Sequence, residues 1–535
     1  MNSMFQKSLD NSLIAFLDSA EVQHALPQIR RGIEREMLRT TPHGALADSS
    51  HPHGLGSALT HPYITTDFAE SQLELVTPAT TDRDELYQTL ATLHHAVARQ
   101  LENAELVWSA SMPPALPSEE AIRIGDYGSS NAGSLKRRYR EGLANRYGKR
   151  MQMISGIHYN FSLPTAFWQA LHAFEQRPLT LEEFTSERYF HLIRNVLRYG
   201  WIMPYLFGAS PTADASYLAN QHALPDGILP WDDSTIYGPW ATSLRTSNLG
   251  YSSAEQSRYP LRFDSRQTYL ADLCRVLKQP SERYTHLDTE QQLNGAVLQL
   301  ENELYGSIRP KIVNAELRPI VAMQRHGVQY VELRSVDNNP YLAYGIDQHQ
   351  GNFLDAFLTF CALMPSPEIS DEERQIIATR QEIVSRQGRQ PNLHLPTLEG
   401  DMALQTLGLA LTTAMQPIAA ALDSAYGTAG YQLSLQHQAD KFADSELTPS
   451  AQLLTEMKAE NVGHVAKLTA LSRAHLAHYH QQGLTPESAD YFEQLATESL
   501  ANQTALENEP QPSFEQFFAQ KYQLDCGCEP LQQAG

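Results

Sequence analysis

The stretch Val328-Gln329-Tyr330-Val331-Glu332-Leu333-Arg334 decides the fold class. In an extended chain successive side chains point to opposite faces. Glu332 and Arg334 then share one face, and Val331 and Leu333 share the other. The same two-sided pattern recurs upstream. In Gly32-Ile33-Glu34-Arg35-Glu36-Met37-Leu38 the two carboxylates fall on one face, although Arg35 interrupts the apolar side. In Glu70-Ser71-Gln72-Leu73-Glu74-Leu75-Val76 the polar face is Glu70, Gln72 and Glu74. In Ser155-Gly156-Ile157-His158-Tyr159-Asn160-Phe161 it is His158 and Asn160. These stretches predict strands with one apolar side and one side rich in acids, imidazole and guanidinium.

One such strand is ordinarily half exposed, with a solvated polar face. The set says more. Like charges two apart on a strand sit roughly 7 Å from each other, and acids on neighbouring strands repel. A shared divalent cation removes that repulsion, and oxygen ligands with a single imidazole suit Mg²⁺ or Mn²⁺ better than zinc. Mg²⁺ commonly bridges carboxylates to nucleotide phosphates, which points to phosphoryl transfer. The familiar phosphate loops are absent: neither GxxxxGK[ST] nor a strand-to-helix GxGxxG occurs, and GxSxG is missing as well.

The basic island from Lys136 to Arg150 leaves two readings open. Lys136, Arg137, Arg138, Arg140, Arg146, Lys149 and Arg150 face a single acid, Glu141. They form either a charged surface helix or, in part, a site for substrate carboxylates. Elsewhere the chain is acidic, with 40 Lys and Arg against 61 Asp and Glu and a net charge of −21. That field disfavours nucleic acid or an anionic membrane as partner. No basic segment leads into an apolar one at the start, and the best apolar run, Phe353 to Pro365, is short and carries Asp355. Cys274 and Cys361 read as core residues, and Cys526-Gly-Cys528 as a reduced tail. The compartment these features imply is the cytoplasm.

After residue 365 the texture becomes helical. Ser370 followed by Asp371-Glu372-Glu373 is a helix start, and Thr448-Pro449 and Thr485-Pro486 are two more. Leu404, Leu407, Leu411 and Met415 have helical spacing. The expected organisation is a catalytic body over residues 10–365, with a mostly helical region, 366–535, packed on it.

Several blocks carry a resemblance. GIEREMLR (Gly32–Arg39), LGSALTHPYITTDFAESQLELVTP (Leu55–Pro78), YGSSNAGSLKRRYREGLANRYG (Tyr127–Gly148), ISGIHYNFS (Ile154–Ser162), SLRTSNLGY (Ser243–Tyr251), NELYGSIRPK (Asn302–Lys311) and GVQYVELRSVD (Gly327–Asp337) resemble, in order, the signature blocks of proteobacterial glutamate–cysteine ligases. The resemblance implies an α+β fold related to glutamine synthetase, in which a curved, mainly antiparallel sheet forms a funnel. It implies ATP-dependent ligation of the glutamate γ-carboxyl to the cysteine amine through a γ-glutamyl phosphate, the first step of glutathione biosynthesis. ATP and Mg²⁺ (or Mn²⁺) are the implied cofactors, and glutathione the implied feedback inhibitor. By resemblance Glu34, Glu36, Asp67, Glu74, His158 and Glu332 hold metal, Arg334 contacts the phosphoryl group in flight, and Arg334 and Glu332 are the catalytic pair. Tyr139, Tyr251, Tyr305 and Phe68 wall the cysteine pocket, Arg140 and Arg245 hold amino-acid carboxylates, and Arg309 and Lys311 contact the triphosphate. Parity alone reaches all the metal positions except Asp67. Two alternatives stay open: a related ligase that uses another amine, and a silent binding relative, which would have no need of clustered acids.

Overall fold

The computed structural model describes residues 9–250 and 252–522. Tyr251, Cys526 and Cys528 lie outside the described residues.

The centre is a seven-stranded sheet: β1 (Arg30–Thr40), β2 (Ile64–Thr66), β3 (Gln72–Val76), β4 (Leu106–Val107), β5 (Ile157–Ser162), β6 (Ile308–Lys311) and β7 (Tyr330–Val336). Its order is β2-β3-β1-β5-β7-β6, with β4 paired to the far end of β1, and all of these pairings are antiparallel. Glu70 departs from the strand pattern. The chain is still turning there, and its carboxylate accepts from His51 N and Asp126 N, each at 2.8 Å.

Ile33, Tyr159, Phe161, Val331 and Leu333 are fully buried against the helix Gln348–Leu363, while Met37, Leu73 and Leu75 meet Leu93 and Val97 of the helix Arg83–Gln100. Each large apolar side chain sealed there contributes roughly 1.5–3 kcal/mol. This face also buries charge. Arg31 Nε meets Asp355 Oδ2 at 2.8 Å, and Tyr159 Oη donates to Asp355 Oδ1 at 2.9 Å. Arg35 donates to Asn338 Oδ1 at 3.0 Å, to Ala343 O at 3.1 Å and to His94 Nε2 at 2.7 Å. His94 can accept there because its other nitrogen, Nδ1, lies 2.7 Å from Leu90 O and carries the proton.

Four helices bear on the site: α1 (Asn131–Tyr147), α2 (Asp371–Gln387), α3 (Pro486–Asn508) and α4 (Phe514–Tyr522). Ser130 caps α1 by accepting from Gly133 N. At Gly133 a Cβ would lie 2.2 Å from Tyr127 O, so the residue must be glycine for the helix to start this close to the preceding turn. Ser370 caps α2 and Thr485 caps α3, as their sequences predict, and Thr448 caps the helix Pro449–Glu460. Leu404, Leu407, Leu411 and Met415 form the buried stripe of Leu404–Tyr426. The chain is therefore an α+β fold with a helical C-terminal third. None of its described helices is long and apolar enough to cross a membrane. Cys361 is a buried free thiol. Cys274 is fully buried in the same core, as its sequence surroundings predict.

Candidate active site

Register brings the loaded residues together. Glu34 lies opposite His158, Glu36 opposite Glu74, and Glu332 opposite both Asn160 and Arg309. Because the pairs are in register, Glu34, Glu36, Glu74, His158, Asn160, Glu332, Arg334, Arg309 and Lys311 occupy one face of the sheet. That face floors a cavity of about 910 Å³. Asp67 joins from the turn after β2, where strand parity no longer applies.

His158 is the hub. Its Nδ1 lies 2.9 Å from Glu34 Oε2 and 3.9 Å from Glu332 Oε1, and its Nε2 is 3.4 Å from Glu36 Oε1. Asn160 Nδ2 donates to the other Glu34 oxygen at 2.8 Å, and Gly156 N donates to Glu36 Oε2 at 2.9 Å. Ligand atoms of Glu34, His158 and Glu332 all lie within 4.8 Å of one another.

Electrostatics sort the acids into two groups. Burial works to raise Glu332, but Arg334, Lys311, His158 and Arg309 hold it well below the ordinary carboxylate range. Lys311 Nζ is 3.3 Å, Arg334 Nη1 3.3 Å and Arg309 Nη1 3.9 Å from its oxygens. Burial works to raise Glu34 too, but the hydrogen bond and charge of His158, together with the charge of Lys311, leave it lowered. The other two acids behave oppositely. Burial and the neighbouring Asp67 push Glu36 well up and Glu74 up to about 8. Burial and Arg334 lower His158, so the ring is neutral and has one proton for its three carboxylate neighbours. Such a cluster is satisfied by a cation rather than by itself. Oxygen donors with one neutral imidazole fit Mg²⁺ or Mn²⁺. Asn160 Oδ1 is buried without a hydrogen bond, and Glu332 Oε2, also without one, has the ion pairs with Arg334 and Arg309.

The opposite wall comes from α1. Lys136, Tyr139, Arg140 and Leu143 follow helical spacing and all line the cavity. This resolves the basic island. Arg137 pairs with Glu141 at the surface, and Arg138 lies over the Phe514 ring. Arg146 meets Glu303 and the Gln292 side chain, while Lys149 and Arg150 hold backbone carbonyls. Only Lys136 and Arg140 of the seven cations line the cavity.

Phe68 and Tyr305 also line it, and Gln152 Nε2 donates to Tyr305 Oη at 3.2 Å. Arg245 lies against Gly156, where a Cβ would stand 1.9 Å from its Nη2, and that nitrogen donates to Arg334 O at 2.7 Å. The helical third takes part too: Ile377, Ala378 and Gln381 of α2 and Tyr522 of α4 complete the wall.

A sequence model of the family described as glutamate-cysteine ligase matches residues 14–384. The chain belongs to the glutamate–cysteine ligase family. It is 43% identical over 528 residues to the glutamate–cysteine ligase of Azotobacter vinelandii, covering 97% of this chain and 98% of that one. It is 42% identical over 516 residues to that of Pseudomonas aeruginosa, covering 95% and 96%. Among solved structures, the glutamate–cysteine ligase of Francisella tularensis in complex with AMP superposes with a TM-score of 0.87 at 31% identity, over 94% of this chain and 99% of that one. A bifunctional glutathione synthetase from Pasteurella multocida gives 0.68 at 26% identity, over 86% of this chain and 54% of its own length.

Within this family member, the sequence left Lys136 unresolved among the seven cations of the basic island, and it did not single out Gln152 or the α2 and α4 wall. Lys136 had a signal: it stands three and four residues before Tyr139 and Arg140 on one helical face. The contribution of α2 and α4 had none, because it arises from tertiary packing alone.

Proposed function

We propose that this glutamate–cysteine ligase activates the glutamate side chain as a γ-glutamyl phosphate before the cysteine amine attacks. The overall reaction is ATP-dependent formation of γ-glutamylcysteine, the first step of glutathione biosynthesis. The observation that carries the mechanism is the convergence on one sheet face of paired acids with Arg334, Arg309 and Lys311, inside a single cavity of about 910 Å³. The AMP bound by the Francisella relative supports nucleotide binding at such a site.

Glu34, Glu36, Asp67, Glu74, His158 and Glu332 are the residues that would hold Mg²⁺ or Mn²⁺. Bound there, the ions neutralise phosphate charge. The chain's own groups do the rest. A carboxylate resists amine attack because oxide is a poor leaving group, and phosphorylation supplies a better one. Arg334 meets charge building on the transferring phosphoryl group, a task for a fixed donor in a water-poor site. Arg309 and Lys311 face the remaining phosphates, with Glu332 holding all three cations in place. Tyr139, Tyr305 and Phe68 wall the acceptor side, and Arg245 faces a glutamate carboxylate. Glutathione, which contains the γ-glutamylcysteine unit, competes for the same cavity. We also assign residues 10–365 as the catalytic body, 366–535 as the helical region that seals it, and the cytoplasm as its place of work.

The test is isotopic. Glutamate carrying ¹⁸O in its side-chain carboxyl should deliver one label atom to inorganic phosphate for each γ-glutamylcysteine formed. Phosphate free of label would overturn the acyl-phosphate route. Product formed from another amine at higher kcat/KM than from cysteine would instead overturn the choice of acceptor.

A further inference from the structure

The proposed ligation needs cysteine with a neutral amine, and such an acceptor still carries a carboxylate. A carboxylate moved out of water requires a cation of its own. The cavity is lined by Lys136, Arg140, Arg245, Arg309, Lys311 and Arg334. Five of these already have protein partners, and four of the five, Arg245, Arg309, Lys311 and Arg334, have proposed roles toward glutamate or phosphate. Arg309, Lys311 and Arg334 share Glu332. Arg245 is 3.4 Å from Asp337 Oδ1 and donates to Arg334 O.

Arg140, which the resemblance assigns to a carboxylate, is occupied as well. Its Nε donates to Asp67 O, its Nη1 to Lys136 O at 3.0 Å, and its Nη2 to Thr66 O at 3.4 Å. Its guanidinium also stacks on Tyr127, 4.6 Å from the ring centroid. Tyr127 Oη donates to the same turn, 3.0 Å from Thr66 O. Arg140 is thus a clamp on the turn that presents Asp67 and Phe68.

Lys136 differs. Its ammonium sits 5.0 Å from the Tyr127 ring centroid, with no hydrogen bond or ion pair to any described residue. It stands one helical turn before Arg140 and three residues before Tyr139, on the α1 face that walls the acceptor side. Burial lowers its pKa to about 8, while Glu74 and Asp67 act to raise it.

We propose that Lys136 binds the carboxylate of the incoming cysteine, and that Arg140 positions the neighbouring turn instead. This rests on the proposed ligation. A flexible ammonium suits the task, because the acceptor must enter last and settle against a wall already built.

The test removes the partner from each side in turn. Lys136→Met and Lys136→Arg are compared with the wild type on cysteine and on cysteamine, which has the same amine and thiol without the carboxylate. At saturating glutamate and ATP with Mg²⁺, Lys136→Met should lower kcat/KM for cysteine about 10- to 100-fold through KM. It should leave cysteamine within two-fold, and Lys136→Arg should recover part of the loss. Equilibrium dialysis of labelled cysteine provides a second reading: the Met variant should bind it correspondingly more weakly. Equal losses on both amines, a rise confined to the KM of glutamate, or unchanged cysteine binding in dialysis would each overturn the assignment. A wild type that makes no γ-glutamylcysteine would overturn the ligase reading itself, a separate outcome.

Discussion

The two faces of the central sheet both bury charge, and they do so in opposite ways. On the core face, Arg31 is matched by Asp355, and Arg35 by Asn338, Ala343 O and a neutral His94. On the cavity face, Glu36 stands opposite Glu74 with Asp67 nearby, and burial and Asp67 push both paired acids up. The strands are the same; only side-chain parity differs. Charge on the core face is completed within the chain, whereas the paired acids on the cavity face stand against one another.

The contrast can be broken from the core side first. Asp355→Ala leaves Arg31 buried without its counter-ion, and such breakage costs about 3–5 kcal/mol. Urea denaturation measures it, and a loss below about 1 kcal/mol would show that the core-face pair is not what holds Arg31. From the cavity side, Glu36→Gln removes charge that the metal-free protein cannot accommodate. Turnover should fall by about 10²-fold or more, on the scale that ligand shells set. The melting temperature without Mg²⁺ should hold or rise, and the stabilisation gained on adding Mg²⁺ should shrink. A variant that melts well below wild type in chelator would place Glu36 among the structural charges instead.

The smallest effect concerns acid. Burial and Arg35 lower His94 well below its ordinary value. The folded ring therefore binds a proton more weakly than the unfolded one, near 6.5. Its contribution is complete above about pH 6.5 and is lost as the pH falls below that. His94→Gln should start less stable at pH 7.5 and lose less between pH 7 and 5, as denaturation midpoints at each pH will record. An acid limb as steep as wild type would remove His94 from the account.

Alternation made most of this readable in advance. Glu34, Glu36, Glu74, His158, Glu332 and Arg334 were placed by a period of two, and antiparallel register then did what parity could only suggest. Asp67 was beyond that logic because it sits in a turn, and Glu70 was misplaced for the same reason: the strand begins two residues later, at Gln72. Arg35 looked like a flaw in an apolar side, since a sequence does not announce that Asn338 and His94 will meet it. The basic island stayed ambiguous because seven cations spread around α1 and the loop after it, and only packing decides which of them faces inward.

The wall supplied by α2 and by Tyr522 sets the order in which this site comes into being during synthesis. The first acid-bearing strand, β1, leaves the ribosome long before Tyr522. Chains emerge N-terminus first at about 5–20 residues per second. For roughly half a minute or more, a nascent chain carries the acids without the enclosure of the finished cavity. A chain cut short before α4 would keep the acids and lose that enclosure.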